Sequence, residues 1–317
     1  MTVWIIFILC ILLFLFLDLA VINKNSHVIK SKEAAIWTGI WVSLALSFSG
    51  VIWWLFSGDH IQNPTGLSPD KALLKYITGY LIELSLSVDN IFVIAVIFRS
   101  FSIPEKYQHR VLFWGILGAI FFRALMIVFG VALINQFEWI IYFFGAFLLF
   151  TAFKMLKSDG EEFKPKESFI FKNLRKILPF TAFTAGEKFF IYKRGIRIAT
   201  PLFMALVIIE LTDILFALDS IPAILAITAD PFIVFSSNIL AIMGLRSMYF
   251  LISRMLNKFR FINYSLVAIL GFVGLKMIFS HHVEIPEWLS LTVIGLSLIG
   301  GVLASMLLPE KEEELNT

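Results

Sequence analysis

Two stretches decide the fold: Glu83-Leu84-Ser85-Leu86-Ser87-Val88-Asp89-Asn90-Ile91 and Asp213-Ile214-Leu215-Phe216-Ala217-Leu218-Asp219-Ser220-Ile221. Each runs acid, five residues, acid, polar residue, isoleucine, and each lies inside an apolar run of about 20 residues or more. As a helix rising 1.5 Å per residue, such a run crosses a hydrocarbon core about 30 Å thick. A carboxylate at the bilayer centre costs at least about 2.5–3.5 kcal/mol, so a chain that keeps several there needs partners or a water-filled cavity for them. The chain therefore reads as an all-α, polytopic membrane bundle whose function lies between its helices.

Composition agrees. Of the 317 residues 59% are apolar and 15% charged, where a soluble domain carries about 45–50% and about 25%. Nine spans are expected, near 2–22, 34–57, 73–98, 110–134, 138–156, 199–227, 234–255, 261–280 and 287–308. They leave too little chain for a separate catalytic domain outside the membrane. The first span lacks a basic leader region and a small-residue cleavage site near Asp18, so it is expected to be a retained helix. Cys10 is the one cysteine, which excludes a disulfide framework and a thiolate metal site. A net charge of +3 gives no reason to expect a nucleic-acid partner.

The basic residues give an orientation. With the N-terminus outside, the inner segments hold 20 of the 26 Lys and Arg residues, ten of them between Lys157 and Arg197, and the outer loops hold only Lys71. The positive-inside rule then places the N-terminus outside and the C-terminus in the cytoplasm. The cytoplasmic loop, residues 157–198, carries a basic amphipathic stretch at 169–178 that suits a short helix on the inner leaflet. Residues 188–198 read as two short strands around an Arg-Gly turn.

Three spans repeat in order. The third and sixth hold the acidic motifs, the fourth and seventh each hold one buried arginine (Phe122-Arg123-Ala124 and Leu245-Arg246-Ser247), and Tyr142 to Lys154-Met155 in the fifth matches Tyr264 to Lys276-Met277 in the eighth. Under the assigned orientation the two triplets run oppositely, giving an inverted 3+3 repeat. Repeat one covers 73–156 and repeat two 199–280, with two N-terminal helices in 1–57, a last helix at 287–308 and a tail at 309–317, all in one membrane domain.

Six acids are expected at membrane depth, Asp18, Glu83, Asp89, Glu210, Asp213 and Asp219, against four cations, Arg123, Arg246, Lys154 and Lys276. A divalent cation would balance the excess; the alternative is that the charges pair across helices and fasten the bundle. Residues seven apart share a helix face, which joins Glu83 to Asn90 and Asp213 to Ser220. Pro222 lacks an amide hydrogen and its ring conflicts with the Leu218 carbonyl, so the sixth helix is expected to break there and free a backbone oxygen beside Asp219. Carboxylate, amide, hydroxyl and carbonyl oxygens favour hard or intermediate ions such as Mg, Mn and Ca. The five histidines are expected at loops or span ends. Carboxylates also exchange metal for protons, which suggests proton coupling.

The segments around Glu83 to Asn90, Phe144 to Thr151 and Glu210 to Ala223 closely resemble the TerC family, and its Alx-like members in particular. The likeness extends over essentially the whole chain, including Thr200-Pro201-Leu202 and Gly244 to Phe250. It implies a multi-pass inner-membrane protein linked to manganese efflux and, in older naming, to tellurium resistance. It also implies metal-site roles for Glu83, Asp89, Asn90, Glu210, Asp213, Asp219 and Ser220, with Asp18 as the acid of the first helix. The tellurite name does not follow from the residues, because a carboxylate-lined site repels an oxyanion.

The expected function is thus export of Mn2+ as a transported substrate, with no permanently bound cofactor and the lipid bilayer as surroundings. The alternative is an accessory that aids metal delivery to exported proteins or membrane-protein insertion, with residues 158–198 as the partner surface. An enzyme is not expected: the chain has no Gly-x-Gly-Asp stretch, no His-Glu-x-x-His and no phosphate-cradling glycine loop.

Overall fold

The computed structural model describes residues 2–17, 29–58, 60–63, 66–137, 139–157, 171, 179–181, 183–193, 195–253, 261–279 and 285–307. Nine helices are present among them: α1 (Thr2–Leu17), α2 (Ser31–Ser57), α3 (Pro69–Ser100), α4 (Glu105–Gln136), α5 (Ile140–Lys157), α6 (Pro201–Leu225), α7 (Pro231–Ile252), α8 (Ile262–Phe279) and α9 (Glu287–Leu307). Seven are long and apolar enough to cross a membrane; Thr2–Leu17 and Tyr264–Phe279 are shorter apolar segments. The protein is an all-α polytopic membrane protein. Its only strands among the described residues, β1 (Phe190–Lys193) and β2 (Ile196–Ala199), form an antiparallel hairpin with Lys193 opposite Ile196. That hairpin falls where the alternation of residues 188–198 placed it, whereas Asp18 and, apart from residue 171, the expected helix at 169–178 lie outside the described residues.

Helix starts follow the sequence. Prolines stand in the first turns of α3, α6 and α7, where a missing amide hydrogen costs nothing. Asp230 caps α7 by accepting from the amides of Phe232 and Ile233, both at 3.0 Å. Burial pushes its carboxyl upward from the usual range, and the two amides and Lys75 pull it back.

The expected break at Pro222 is not seen: α6 runs through it to Leu225. Pro222 sits in the final turn, where a helix is already ending and one missing amide bond disturbs little, and its own carbonyl accepts from Ala226 at 3.0 Å. Lys154 and Lys276 also move from their expected depth. Both lie in the last turns of α5 and α8, at the helix ends and away from the polar centre. Lys154 is exposed, and Lys276 donates to Ser290 of α9 at 2.9 Å.

Six helices form the centre. α3 packs on α6 and α7, α4 on α6 and α7, and α5 on α8. These pairings are unchanged when α3, α4 and α5 are exchanged for α6, α7 and α8. α2 lies against α3 and α7, and α9 against α3 and α8, shielding one flank. α7 is the most enclosed helix, buried from Phe232 to Tyr249 at nearly every position. At the α5/α8 crossing the backbones touch: a Cβ on Gly145 would lie 2.9 Å from the Gly274 carbonyl oxygen, and one on Gly274 would lie 2.9 Å from that of Gly145.

Backbone cannot yield as a side-chain tip can, so Gly145→Ala should cost about 1–3 kcal/mol, the usual overpacking penalty. Gly271 of α8, with nothing within 4 Å of its would-be Cβ, supplies the control. Thermal unfolding in detergent is expected to show a lowered Tm for Gly145→Ala and an unchanged one for Gly271→Ala.

Candidate functional site

The polar centre is organised by Arg123 of α4, which is 1% exposed. Its Nη1 forms an ion pair with Glu83 Oε1 of α3, donates to Asn238 Oδ1 of α7 at 3.0 Å and reaches Ser220 Oγ of α6 at 3.4 Å. Its Nη2 pairs with Asp213 Oδ1 of α6 at 3.2 Å, and Nε faces Oδ2 at 3.5 Å. One guanidinium fork thus ties four helices at mid-length, which suits Arg better than Lys because its planar donors point in several fixed directions. Asn90 donates from Nδ2 to Asp213 Oδ1 at 3.2 Å, and Ser87 donates to Glu83 Oε1 at 3.5 Å.

The register between α3 and α6 follows from these contacts. Glu83 and Ser220 gather on the same Arg123 nitrogen, while Asn90 meets Asp213 directly, seven residues along each helix in opposite directions. The helices are antiparallel, with the two contact levels about 10 Å apart. Replacing each residue by its motif counterpart turns one level into the other. Helix-face spacing had joined Glu83 to Asn90 and Asp213 to Ser220, and the crossing brings those two faces together.

The arginines are not equivalent. Arg123 sits between the acids, whereas Arg246 of α7 is 8% exposed, lies 3.5 Å from His109 Nε2 of α4, and lines a cavity of about 20 Å³ with Asn90, Thr212 and Asp213. That volume admits a single water or ion. His109 is 6% exposed, a correction to its expected place at a surface span end: α4 begins five residues before the expected boundary and draws His109 into the bundle.

Several oxygens here are unmet. Glu83 Oε2, Asn90 Oδ1 and Glu210 Oε2 are buried without a hydrogen-bond partner. Glu210 of α6 is pressed against Gly118 of α4, where any Cβ would collide with its carboxylate. Buried acceptors without donors are costly, and a bound cation or proton is the partner their chemistry admits. No group of three or more His, Cys, Asp or Glu residues is arranged as a metal site among the described residues; the side chains of Asp89 and Asp219, on α3 and α6, lie outside them. Lys154 and Lys276 do not join the cluster. Asn238 was missed by motif reading, although Ser236-Ser237-Asn238 is a polar run inside a buried span and signals a polar interior.

A bundle of membrane-length helices packed around an ion-paired polar centre defines an integral membrane protein. The chain belongs to the integral membrane protein TerC family, which matches residues 68–313. It is 48% identical over 304 residues to an uncharacterized membrane protein of Myxococcus xanthus, covering 96% of this chain and 92% of the relative. It is 40% identical over 304 residues to an uncharacterized membrane protein of Rickettsia bellii, covering 96% and 97%. It is 44% identical over 272 residues to a protein of Escherichia coli K12 named putative membrane-bound redox modulator Alx, covering 86% and 84%. No solved structure matches.

Removing one partner of a buried ion pair strands the other, at a typical cost of about 3–5 kcal/mol. Arg123→Gln should therefore destabilise the bundle strongly, and Glu83→Gln combined with Arg123→Gln should cost less than the two single changes added. Unfolding by denaturing detergent, run as a double-mutant cycle, checks this.

Proposed function

We propose that the protein exports a divalent cation, with Mn2+ as the favoured substrate, through the site that Arg123 closes here. The observation that carries the reading is two carboxylates from opposite triplets, Glu83 and Asp213, converging on a single guanidinium at mid-depth. Two negative charges against one positive leave a deficit that a second cation fits. Arg123 acts as a tethered cation that holds the acids when no substrate is bound. Incoming metal takes the carboxylate oxygens, with Asn90 Oδ1 and Glu210 Oε2 as further oxygen donors, and Arg123 moves away. All these donors are oxygen, which suits Mn2+, Mg2+ and Ca2+ and disfavours copper or structural zinc.

The packing supports alternating access. Exchange of α3, α4 and α5 for α6, α7 and α8 preserves the helix pairings, as expected for inverted triplets that rock about a site on their interface. The cavity beside Arg246 lies on the side of Arg123 nearer the α5 to α6 connection, and the positive-inside reading makes that side cytoplasmic. Protons are the natural counter-ion for carboxylates that release metal. In this reading the protein is a bacterial inner-membrane transporter and not an enzyme. The word redox in the name of the Escherichia coli relative does not point to thiol chemistry here, since Cys10 is alone in the sequence and exposed on α1.

The test is Mn2+ flux in proteoliposomes. Glu83→Gln and Asp213→Asn, each confirmed folded, should lower flux at least about tenfold, in line with losses at metal-supporting positions. Arg123→Gln should bind Mn2+ more tightly and release it more slowly. Undiminished flux in both carboxylate variants would overturn the proposal.

A further inference from the structure

On the side of the 20 Å³ cavity facing the α5 to α6 connection lies a second, larger one of about 300 Å³. The two are in register on three helices. The inner cavity is lined by Ile94 of α3, Leu112 of α4 and Leu245 of α7, and the outer by Phe98, Gln108 and Tyr249, four residues later on α3 and α7 and four earlier on the antiparallel α4. The two spaces thus lie one above the other, about one helical turn apart.

Two buried rings stand at the level between them. Phe98 is 1% and Tyr249 3% exposed, and their rings meet edge to face at 5.5 Å. Tyr249 is also fastened. Its hydroxyl donates to Gln108 Oε1 at 2.9 Å, and Gln108 Nε2 donates to the Ile103 carbonyl at 3.1 Å, in the turn that joins α3 to α4. The outer cavity is the more polar of the two, with Arg99, Ser102, Glu105 and Ser253 among its lining residues.

A divalent cation with six waters, each about 30 Å³, needs about 180 Å³. The outer cavity accommodates that ion and the inner one does not. We propose that Phe98 and Tyr249, latched by Gln108, form a dehydration gate: a hydrated divalent cation waits in the outer cavity and passes the ring layer only after shedding water. This rests on the cation-transport reading and adds a basis for selection to it. Mg2+ gives up its waters reluctantly, so the gate rejects it where the oxygen donors beyond would accept it. Glu105 and the hydroxyls of Ser102 and Ser253 offer the hydrated ion acceptors for its waters.

The experiment has two arms on the full chain with Cys10→Ser. First, Ala119→Cys places a thiol on the inner cavity wall, and Ser253→Cys one on the outer cavity, for modification by a small cationic methanethiosulfonate reagent. The inner thiol should react slowly and the outer one fast. Tyr249→Phe, which keeps the ring and removes the latch, should speed the inner reaction about fivefold, and Tyr249→Ala more, with the outer rate unchanged. Fast inner labelling in the parent, or an inner rate that neither Tyr249 variant alters, overturns the gate. Second, excess Mg2+ should leave Mn2+ flux of the parent intact and inhibit that of Tyr249→Phe. Equal Mg2+ sensitivity in both, with the labelling difference present, overturns dehydration as the basis of selection. Absent Mn2+ flux in every variant is a failure of the transport reading, and the labelling arm still decides the gate.

Discussion

The structure depends on a single buried guanidinium. Arg123 must be matched where it lies, because taking a charge out of water costs several kcal/mol even after relaxation. Its match comes from three other helices: Glu83 on α3, Asp213 and Ser220 on α6, and Asn238 on α7. Satisfying one side chain therefore fixes the relative height and rotation of four helices. The fork cannot satisfy everything it gathers, and Glu83 keeps one oxygen without a partner. That unpartnered oxygen is a feature on which the proposed cation site rests.

The surrounding packing holds the centre without filling it. Close backbone approach at Gly145 and Gly274 locks α5 to α8 on one side, and α2 and α9 cover another. Between these supports, small residues keep space near the acids: Gly118 makes room for the Glu210 carboxylate, and Gly115 and Ala119 leave the small cavity open. The helix pairings are alike for the two triplets while the polar contacts differ. Arg123 lies among the carboxylates, and Arg246, its counterpart in the repeat, lies beside the cavity and His109. An even frame around an uneven polar core fits the proposed two arrangements of the bundle.

Much of this was legible in the chain. Membrane-length apolar runs gave the helices because a backbone in lipid must satisfy its own hydrogen bonds, which leaves few alternatives. Acids inside those runs marked the centre because their cost demands a reason. Helix-face spacing paired Glu83 with Asn90 and Asp213 with Ser220, and the antiparallel crossing of α3 and α6 set those faces together. What was not legible depended on ends and on tertiary context. Pro222 looked like a break but falls in a last turn. Lys154 and Lys276 were counted as deep by the charge balance, yet they fall in the last turns of α5 and α8. His109 looked exposed because α4 begins earlier than hydropathy suggests. Asn238 belongs to no motif, and only the approach of α7 to Arg123 gives it a role.

The most direct test of the central claim, that Arg123 stands where a substrate cation binds, is anomalous diffraction at the manganese edge from crystals soaked in Mn2+. The account predicts a peak among the carboxylate oxygens of Glu83 and Asp213, with the Arg123 guanidinium withdrawn from both. A manganese peak elsewhere, with Arg123 still holding the two acids, would contradict it.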